Sequence, residues 1–177
     1  MTNTACKAWM AATLSGVVLS LVMHTAQAQQ AQPAAGSHSV KLLTPETSLA
    51  AAQAALAHCR KAGYQVSVAV VDRSGVLQVL LRDRFAGPHT VDAATGKAWT
   101  AASFRIDSGS LATETQAGKP MSGLRQLPKV LAVAGGRPVE AAGSVLGGLG
   151  VSGAPGGDAD DACAQAGLKA IVDALEF

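Results

Sequence analysis

The chain has 177 residues, of which 49% are hydrophobic and only 3% aromatic, and its formal net charge is +2 at pH 7. This length holds one domain with a buried core, and the absence of a basic stripe or an aromatic platform excludes a nucleic-acid groove. Because small Ala and Gly residues replace large rings, the core must be packed by close backbone approach. Such cores gain from burying further surface between subunits, so we expect a homo-oligomer.

The first 28 residues have the pattern of a secretory signal peptide. A basic start precedes an apolar run from Met10 to Met23, and Ala26-Gln27-Ala28 resembles a cleavage site. The apolar run is too short for a comfortable membrane span, and no later segment is long enough for one either. We therefore expect cleavage near Ala28, a flexible leader at residues 29–40, and one domain at residues 41–177 that is periplasmic or secreted.

The domain is predicted to open with a helix and two strands. Thr44-Pro45-Glu46 combines a capping hydroxyl, a first-turn proline and an acid at the positive end of the helix dipole, and Gly63 ends the helix. Residues 65–71 alternate as a half-buried strand does. The turn Asp72-Arg73-Ser74-Gly75 then leads into a second strand at residues 76–82, which predicts a hairpin.

Residues 82–104 hold the candidate site. Gly87-Pro88 forces a turn, His89 projects from it, and Thr90 or Asp92 can cap the helix that follows. Small apolar residues recur along this helix at helical spacing, namely Val91, Ala94, Ala98 and Ala101. Because they have little bulk, either another backbone or a flat ligand can lie against that face.

The remainder predicts a short helix from Ser110, a loop at residues 118–128 and three more strands. The strands are placed at residues 130–134, 139–142 and 144–152. With the hairpin they give about five strands, and most connections are too short for the helical crossovers of a parallel sheet. We therefore expect an α/β (α+β) fold with a five-stranded antiparallel sheet flanked by helices.

Three features of the C-terminal third leave alternatives open. Gly147-Gly148-Leu149-Gly150 is either a bulge or a place where a helix packs closely. Asp158, Asp160 and Asp161 crowd the first turn of a closing helix, where carboxylates favour the dipole, and they lack the register of a calcium loop. Cys59 and Cys163 can form a structural disulfide in an oxidising compartment or remain two buried thiols.

Motifs spread over nearly the whole domain resemble one known family. The segments VVDRSGVLQVLLRD at residues 70–83, GKAWTAASF at residues 96–104 and GGRPVEAAGSVLGGLGVSGAPGGDADDACAQAGLKAI at residues 135–171 are similar to the GlcG/HbpS family of heme-binding proteins, which is related to the PduO C-terminal domain. The resemblance implies a profilin-like fold and assembly into dimers or larger rings. It implies heme as the cofactor, with a sensor or uptake protein as a further partner.

If the protein binds heme, His89 is the candidate iron ligand, because an imidazole in an exposed turn can bind iron without disturbing the core. Four nearby basic residues are candidates to pair with the heme propionates: Arg82, Arg84, Lys97 and Arg105. Phe85 is a candidate to cover part of the porphyrin ring, and Met121 is a candidate thioether ligand. An isolated loop histidine can also be a solvated side chain. The competing hypothesis is an enzyme or accessory protein, in which Lys97, Asp92 and Arg105 act on a small hydroxy acid or a corrinoid-type cofactor.

Overall fold

A computed structural model describes residues 36–175, and its helices and strands lie within the compact unit Ser39–Phe177. The predicted signal peptide and most of the predicted leader lie outside the described residues. In chain order the elements are α1 (Pro45–Lys61), β1 (Ser67–Asp72), β2 (Leu77–Arg82), α2 (His89–Phe104), α3 (Ser108–Glu114), β3 (Gly136–Ala141), β4 (Ser144–Ser152) and α4 (Gly157–Lys169). Short 3-10 helices span Ser122–Gln126 and Val172–Leu175.

The four strands of the described residues form one antiparallel sheet in the order β2-β1-β4-β3. Helices α1 and α4 pack together on one face, where the larger hydrophobic core contains Val66, Val68 and Val70. Helix α2 covers the other face, against Ala69 and Val71. The predicted α+β class with helices flanking an antiparallel sheet is confirmed.

The expectation of a fifth strand at residues 130–134 is wrong. The backbone of this segment bonds to side chains of neighbouring helices and not to a strand. The Leu131 N–H donates to the Thr100 hydroxyl at 2.8 Å, and the Ser108 hydroxyl donates to the Val133 carbonyl at 2.6 Å. These contacts hold the segment against α2. The apolar run at residues 130–134 is therefore a loop that covers this helix and not a strand.

The face of α1 and α4 is fixed covalently. Cys59 near the end of α1 and Cys163 in α4 form a disulfide with 5.6 Å between their Cα atoms. Helix α1 begins as the sequence predicts, because the Thr44 hydroxyl accepts a hydrogen bond from the Thr47 N–H. The cysteine alternative left open by the sequence is therefore decided in favour of a disulfide.

Helix α2 packs on β4 almost backbone to backbone. A Cβ on Gly148 would collide with the Ala98 carbonyl oxygen, and one on Gly150 would collide with that of Ala94. Both alanines are fully buried. The glycine row is thus a place of close helix packing, and the alanine face of α2 is occupied by the sheet. A flat ligand cannot lie there.

Candidate functional site

The outer side of α2 borders a half-open groove of about 500 Å³. One wall is the turn between β1 and β2, and the other is the exposed side of α2. The lining residues are Gly75, Val76, Leu77, Asp92, Thr95, Gly96, Trp99 and Lys129. We call this surface the α2 groove.

The α2 groove exists because α2 lies over β1, β3 and β4 and leaves the same face of β2 largely uncovered. Val76 and Leu77 consequently keep 61% and 44% of their surface exposed. The Trp99 indole lies against Gly75, where a Cβ would be only 2.6 Å from the ring. Gly75 also has a φ of +78°, so both its conformation and the indole require glycine. The result is an apolar wall with an aromatic ring.

His89 lies on the same side of α2 as the groove, one helical turn before Asp92, but it is not among the residues that line the groove. It is the first residue of α2, its side chain is exposed, and neither ring nitrogen has a hydrogen-bond partner within residues 36–175. The imidazole folds back over Gly87, where a Cβ would be 2.6 Å from the ring. Residues three apart on a helix are neighbours, so His89 precedes Asp92 on the stripe that faces the groove.

The loop between β2 and α2 carries three further predicted site residues. Arg84 and Phe85 are exposed, Phe85 by 78%, and the Arg82 guanidinium donates to the Ala86 carbonyl oxygen. Buried Asp83 anchors the loop, because Arg60 donates to its two carboxylate oxygens at 2.7 and 2.9 Å. These hydrogen bonds from Arg60 hold the pKa of Asp83 below its usual value.

The proposed capping of α2 by Thr90 or Asp92 is wrong. Helix α2 has no side-chain cap, because the Thr90 hydroxyl donates to the Gly87 carbonyl at 2.6 Å and also bonds the Ser67 hydroxyl. Asp92 is exposed at the groove instead. In this first turn Thr90 therefore connects the helix to β1 through a hydrogen bond, and Asp92 lies at the surface.

Lys97 lies on the opposite side of α2 from the groove. It is 3% exposed, and its Nζ donates to the Asp160 carboxylate at 2.7 Å and to the Val151 carbonyl at 3.0 Å. Burial raises the pKa of Asp160, and the hydrogen bond from Lys97 opposes this effect. An ammonium enclosed in this way is not available to a propionate at the surface, so Lys97 is removed from the candidate ligand set.

Arg105 and Met121 do not belong to the groove either. Arg105 caps the C-terminal end of α2 with a left-handed φ of 57°, so the whole helix, about 24 Å at 1.5 Å per residue, separates it from His89. Met121 is exposed in the loop after α3 and does not line the groove. Of the predicted ligand residues, His89, Phe85, Arg84 and Arg82 lie in the segment that leads into α2, and none of the predicted ligand residues lines the groove itself.

Sequence reasoning missed Trp99, Lys129 and the Val76-Leu77 pair. Trp99 follows His89 by ten positions and Asp92 by seven, which places all three on one helical stripe, so that signal was available. Lys129 and the hairpin turn reach the groove through tertiary packing alone, which no local spacing reveals.

The described residues contain no group of three or more His, Cys, Asp or Glu side chains arranged to hold a metal ion. Within the same part of the chain, no helix combines the length and apolar character that crossing a bilayer needs.

The chain matches the family model described as "Haem degrading protein HbpS-like" over residues 43–169. Among solved structures, a double mutant of HbpS from Streptomyces reticuli is 40% identical, covers 78% of this chain and 93% of its own, and gives a TM-score of 0.72. The protein ORFY of Klebsiella pneumoniae is 27% identical, with coverages of 76% and 94% and a TM-score of 0.74.

A third structure, described as a PduOC:heme complex, is 28% identical, covers 75% of this chain and 96% of its own, and gives a TM-score of 0.71. A comparison with curated protein sequences gives no significant match.

Proposed function

Because the chain belongs to the HbpS-like family, we propose that it is an exported heme-binding protein whose ligand lies in the α2 groove with His89 as iron ligand. The single observation that carries this proposal is the exposed imidazole, without a hydrogen-bond partner among the described residues, one helical turn before an apolar, aromatic-walled groove. Ligand sites of this kind are mostly apolar, with a few placed polar groups.

The residues present fit a planar amphipathic tetrapyrrole. Trp99, Val76 and Leu77 supply apolar surface, and the indole offers a flat face for stacking. Lys129 at the groove, with Arg84 and Arg82 in the loop beside His89, supplies cations for carboxylate side chains. Bound heme supplies an iron that accepts an imidazole and performs one-electron chemistry.

Two observations support export. The sequence of residues 1–28 has the signal-peptide pattern, and Cys59 and Cys163 are joined in a disulfide. Structural disulfides persist in oxidising compartments such as the periplasm and the extracellular space. A half-open groove also suits reversible holding, which serves heme storage, uptake, detoxification or redox sensing through a partner protein.

Titration of the purified protein with hemin tests the proposal. We expect a Soret band, and His89→Ala should weaken binding roughly tenfold or more, a loss of at least about 1.4 kcal/mol. His58→Ala is the matched control, because His58 is also an exposed helical histidine and lies away from the groove. Equal affinity of both variants and the unchanged protein would reject His89 as the ligand.

The enzyme alternative loses the cluster on which it depended. Lys97 is enclosed with Asp160, Asp92 faces the α2 groove and Arg105 lies at the far end of the helix, so the three do not meet. The description of the family as haem degrading calls for a second assay. Adding ascorbate to the hemin complex and following the Soret band and released iron distinguishes holding heme from breaking it down.

A further inference from the structure

Residues 127–130 form a tight turn at the rim of the α2 groove. The Val130 N–H donates to the Leu127 carbonyl at 3.2 Å, so Pro128 and Lys129 are the two central residues of the turn. Lys129 has a φ of +72°. A turn with proline in its second position and a positive φ in its third has the type II pattern, which favours glycine or asparagine in the third position. Lysine therefore occupies a backbone position that suits glycine better.

The backbone of this turn is fixed against α2. The Leu131 N–H, two residues after Lys129, donates to the Thr100 hydroxyl of α2 at 2.8 Å. One helical turn before Thr100, a Cβ on Gly96 would lie 3.2 Å from the Leu131 Cβ and 3.5 Å from the Lys129 carbonyl oxygen. Because Gly96 has no side chain, the backbone of Lys129 lies directly against the helix. The point from which the Lys129 side chain starts is thereby fixed.

Two opposite charges lie along the α2 groove. Lys129 is the one basic residue in its lining, and Asp92 is the one acidic residue. Both are exposed, and neither side chain has an ion-pair or hydrogen-bond partner within residues 36–175. Gly96, which contacts Lys129, follows Asp92 by about 6 Å of helix at 1.5 Å per residue and precedes Trp99. The groove thus has a positive charge near the indole and a negative charge one turn closer to the N-terminus of α2.

From the turn and these charges we infer that Lys129 is the specificity-determining residue of the α2 groove, which selects a ligand that carries a carboxylate. A positive φ at a residue other than glycine costs free energy and persists where the surrounding contacts impose it, often at ligand sites. Glycine would remove that cost, but it would also remove the cation. A charge-assisted hydrogen bond from the lysine to a bound carboxylate is the function that the strained position supports.

This inference rests on the proposed function and gives the ligand an orientation. A carboxylate edge of the tetrapyrrole lies over Gly96 beside Lys129, and the apolar ring lies against Trp99. In the reverse orientation the carboxylate would face Asp92, where like charges repel each other. The two charges therefore distinguish the two ends of the groove.

Binding of metal-free protoporphyrin IX and of its dimethyl ester tests the role of Lys129. These two porphyrins differ only in their carboxylates, and neither contains iron for His89 to bind. We expect the unchanged protein to bind the diacid about tenfold more tightly than the ester, as followed by porphyrin absorbance. Lys129→Met should weaken diacid binding by about tenfold and leave the ester affinity unchanged.

Lys119→Met is the matched control, because Lys119 is also an exposed lysine but pairs with Glu114 and does not line the groove. This variant should keep the preference for the diacid. Equal diacid affinity of Lys129→Met and the unchanged protein would overturn the inference, as would equal binding of the two porphyrins by the unchanged protein.

Three further variants separate the charge from the shape of the turn. Lys129→Gly suits the positive φ, so it should melt at no lower temperature than the unchanged protein and yet lose the preference for the diacid. Lys129→Arg keeps the cation and should keep the preference. Asp92→Asn should strengthen diacid binding and leave ester binding unchanged, because it removes a repelling charge. A Lys129→Gly variant that still prefers the diacid would show that the lysine does not select the ligand.

The outcomes for Lys129 and for the proposed function are distinguishable. If hemin binds in a His89-dependent manner while the two porphyrins bind equally, the role of Lys129 is rejected and the proposed function stands. If Lys129 discriminates the diacid from the ester while His89→Ala binds hemin normally, the iron ligand is rejected and the role of Lys129 stands.

Discussion

The two sides of helix α2 differ in burial and in the size of their side chains. On the inner side Ala94 and Ala98 touch the backbone of β4 so closely that Gly148 and Gly150 cannot carry a side chain. On the outer side Asp92 and Trp99 line a groove with room for a ligand, and His89 lies one helical turn before Asp92. The alanines at regular helical spacing therefore indicate which side of α2 packs on the sheet. The larger residues between them determine what the exposed side of the helix can bind.

The strongest test of this comparison is Gly150→Val. The added side chain would collide with the Ala94 carbonyl oxygen, and neither the strand nor the helix can give way, so we expect a loss above about 4 kcal/mol and failure to fold. Gly123→Ala is the control, because nothing lies within 4 Å of its Cβ position. Circular dichroism melts of both variants measure the difference, and a native melt for Gly150→Val would contradict the close packing.

Lys97→Met should have the next largest effect. It leaves the buried Asp160 carboxylate without its cation, and breaking a buried pair in this way costs about 3–5 kcal/mol. Lys129→Met removes a lysine from the outer side and should change stability by less than about 0.5 kcal/mol. Urea unfolding of the two variants compares the sides directly. Equally small losses of unfolding free energy in both variants would mean that the buried Lys97–Asp160 pair does not stabilise the fold.

Removing the disulfide tests the layer behind the sheet. Cys59→Ala combined with Cys163→Ala opens a loop of 104 residues and should lower the free energy of unfolding by about 2–4 kcal/mol. Hemin affinity of the folded double variant should be unchanged, because both cysteines lie on the face opposite α2. A parallel loss of affinity would show that the two faces are coupled.

The smallest effect is expected for Asp83→Asn and depends on pH. Arg60 lowers the pKa of Asp83, so this carboxylate stabilises the fold above its unfolded pKa of about 3.9, and the stabilisation is lost as the pH falls through the lower folded value. The variant should melt earlier than the unchanged protein at pH 6 and converge with it near pH 2. A constant difference across this range would rule out ionisation as the cause.

Local chemistry in the sequence predicted most of the fold. The capped start of α1, the β1–β2 hairpin and the extent of β4 at residues 144–152 are all confirmed. The predicted strand at residues 130–134 failed because Thr100 and Ser108, distant in sequence, supply its backbone partners. Hydrogen bonds from side chains that are distant in sequence produce no periodic pattern in the segment that they hold, so the sequence of that segment does not reveal them.

The candidate site was only partly predictable for a related reason. His89 and its loop follow from a turn signal, and the exposed stripe of α2 follows from helical spacing. Lys97 was misplaced because a positive charge near His89 in sequence was read as exposed, although Asp160, 63 positions later, pairs with it in the interior. Charge alone does not tell which side of a helix a lysine occupies.

The position of Trp99 has a practical consequence. The chain has two tryptophans, and the other, Trp9, belongs to the segment predicted to be cleaved on export. The exported form would then carry its sole tryptophan in the wall of the α2 groove, where its emission can be excited selectively over that of Tyr64. Quenching of that emission would report occupancy without any label, so stopped-flow mixing could time how fast a ligand arrives and how fast a recipient protein takes it away.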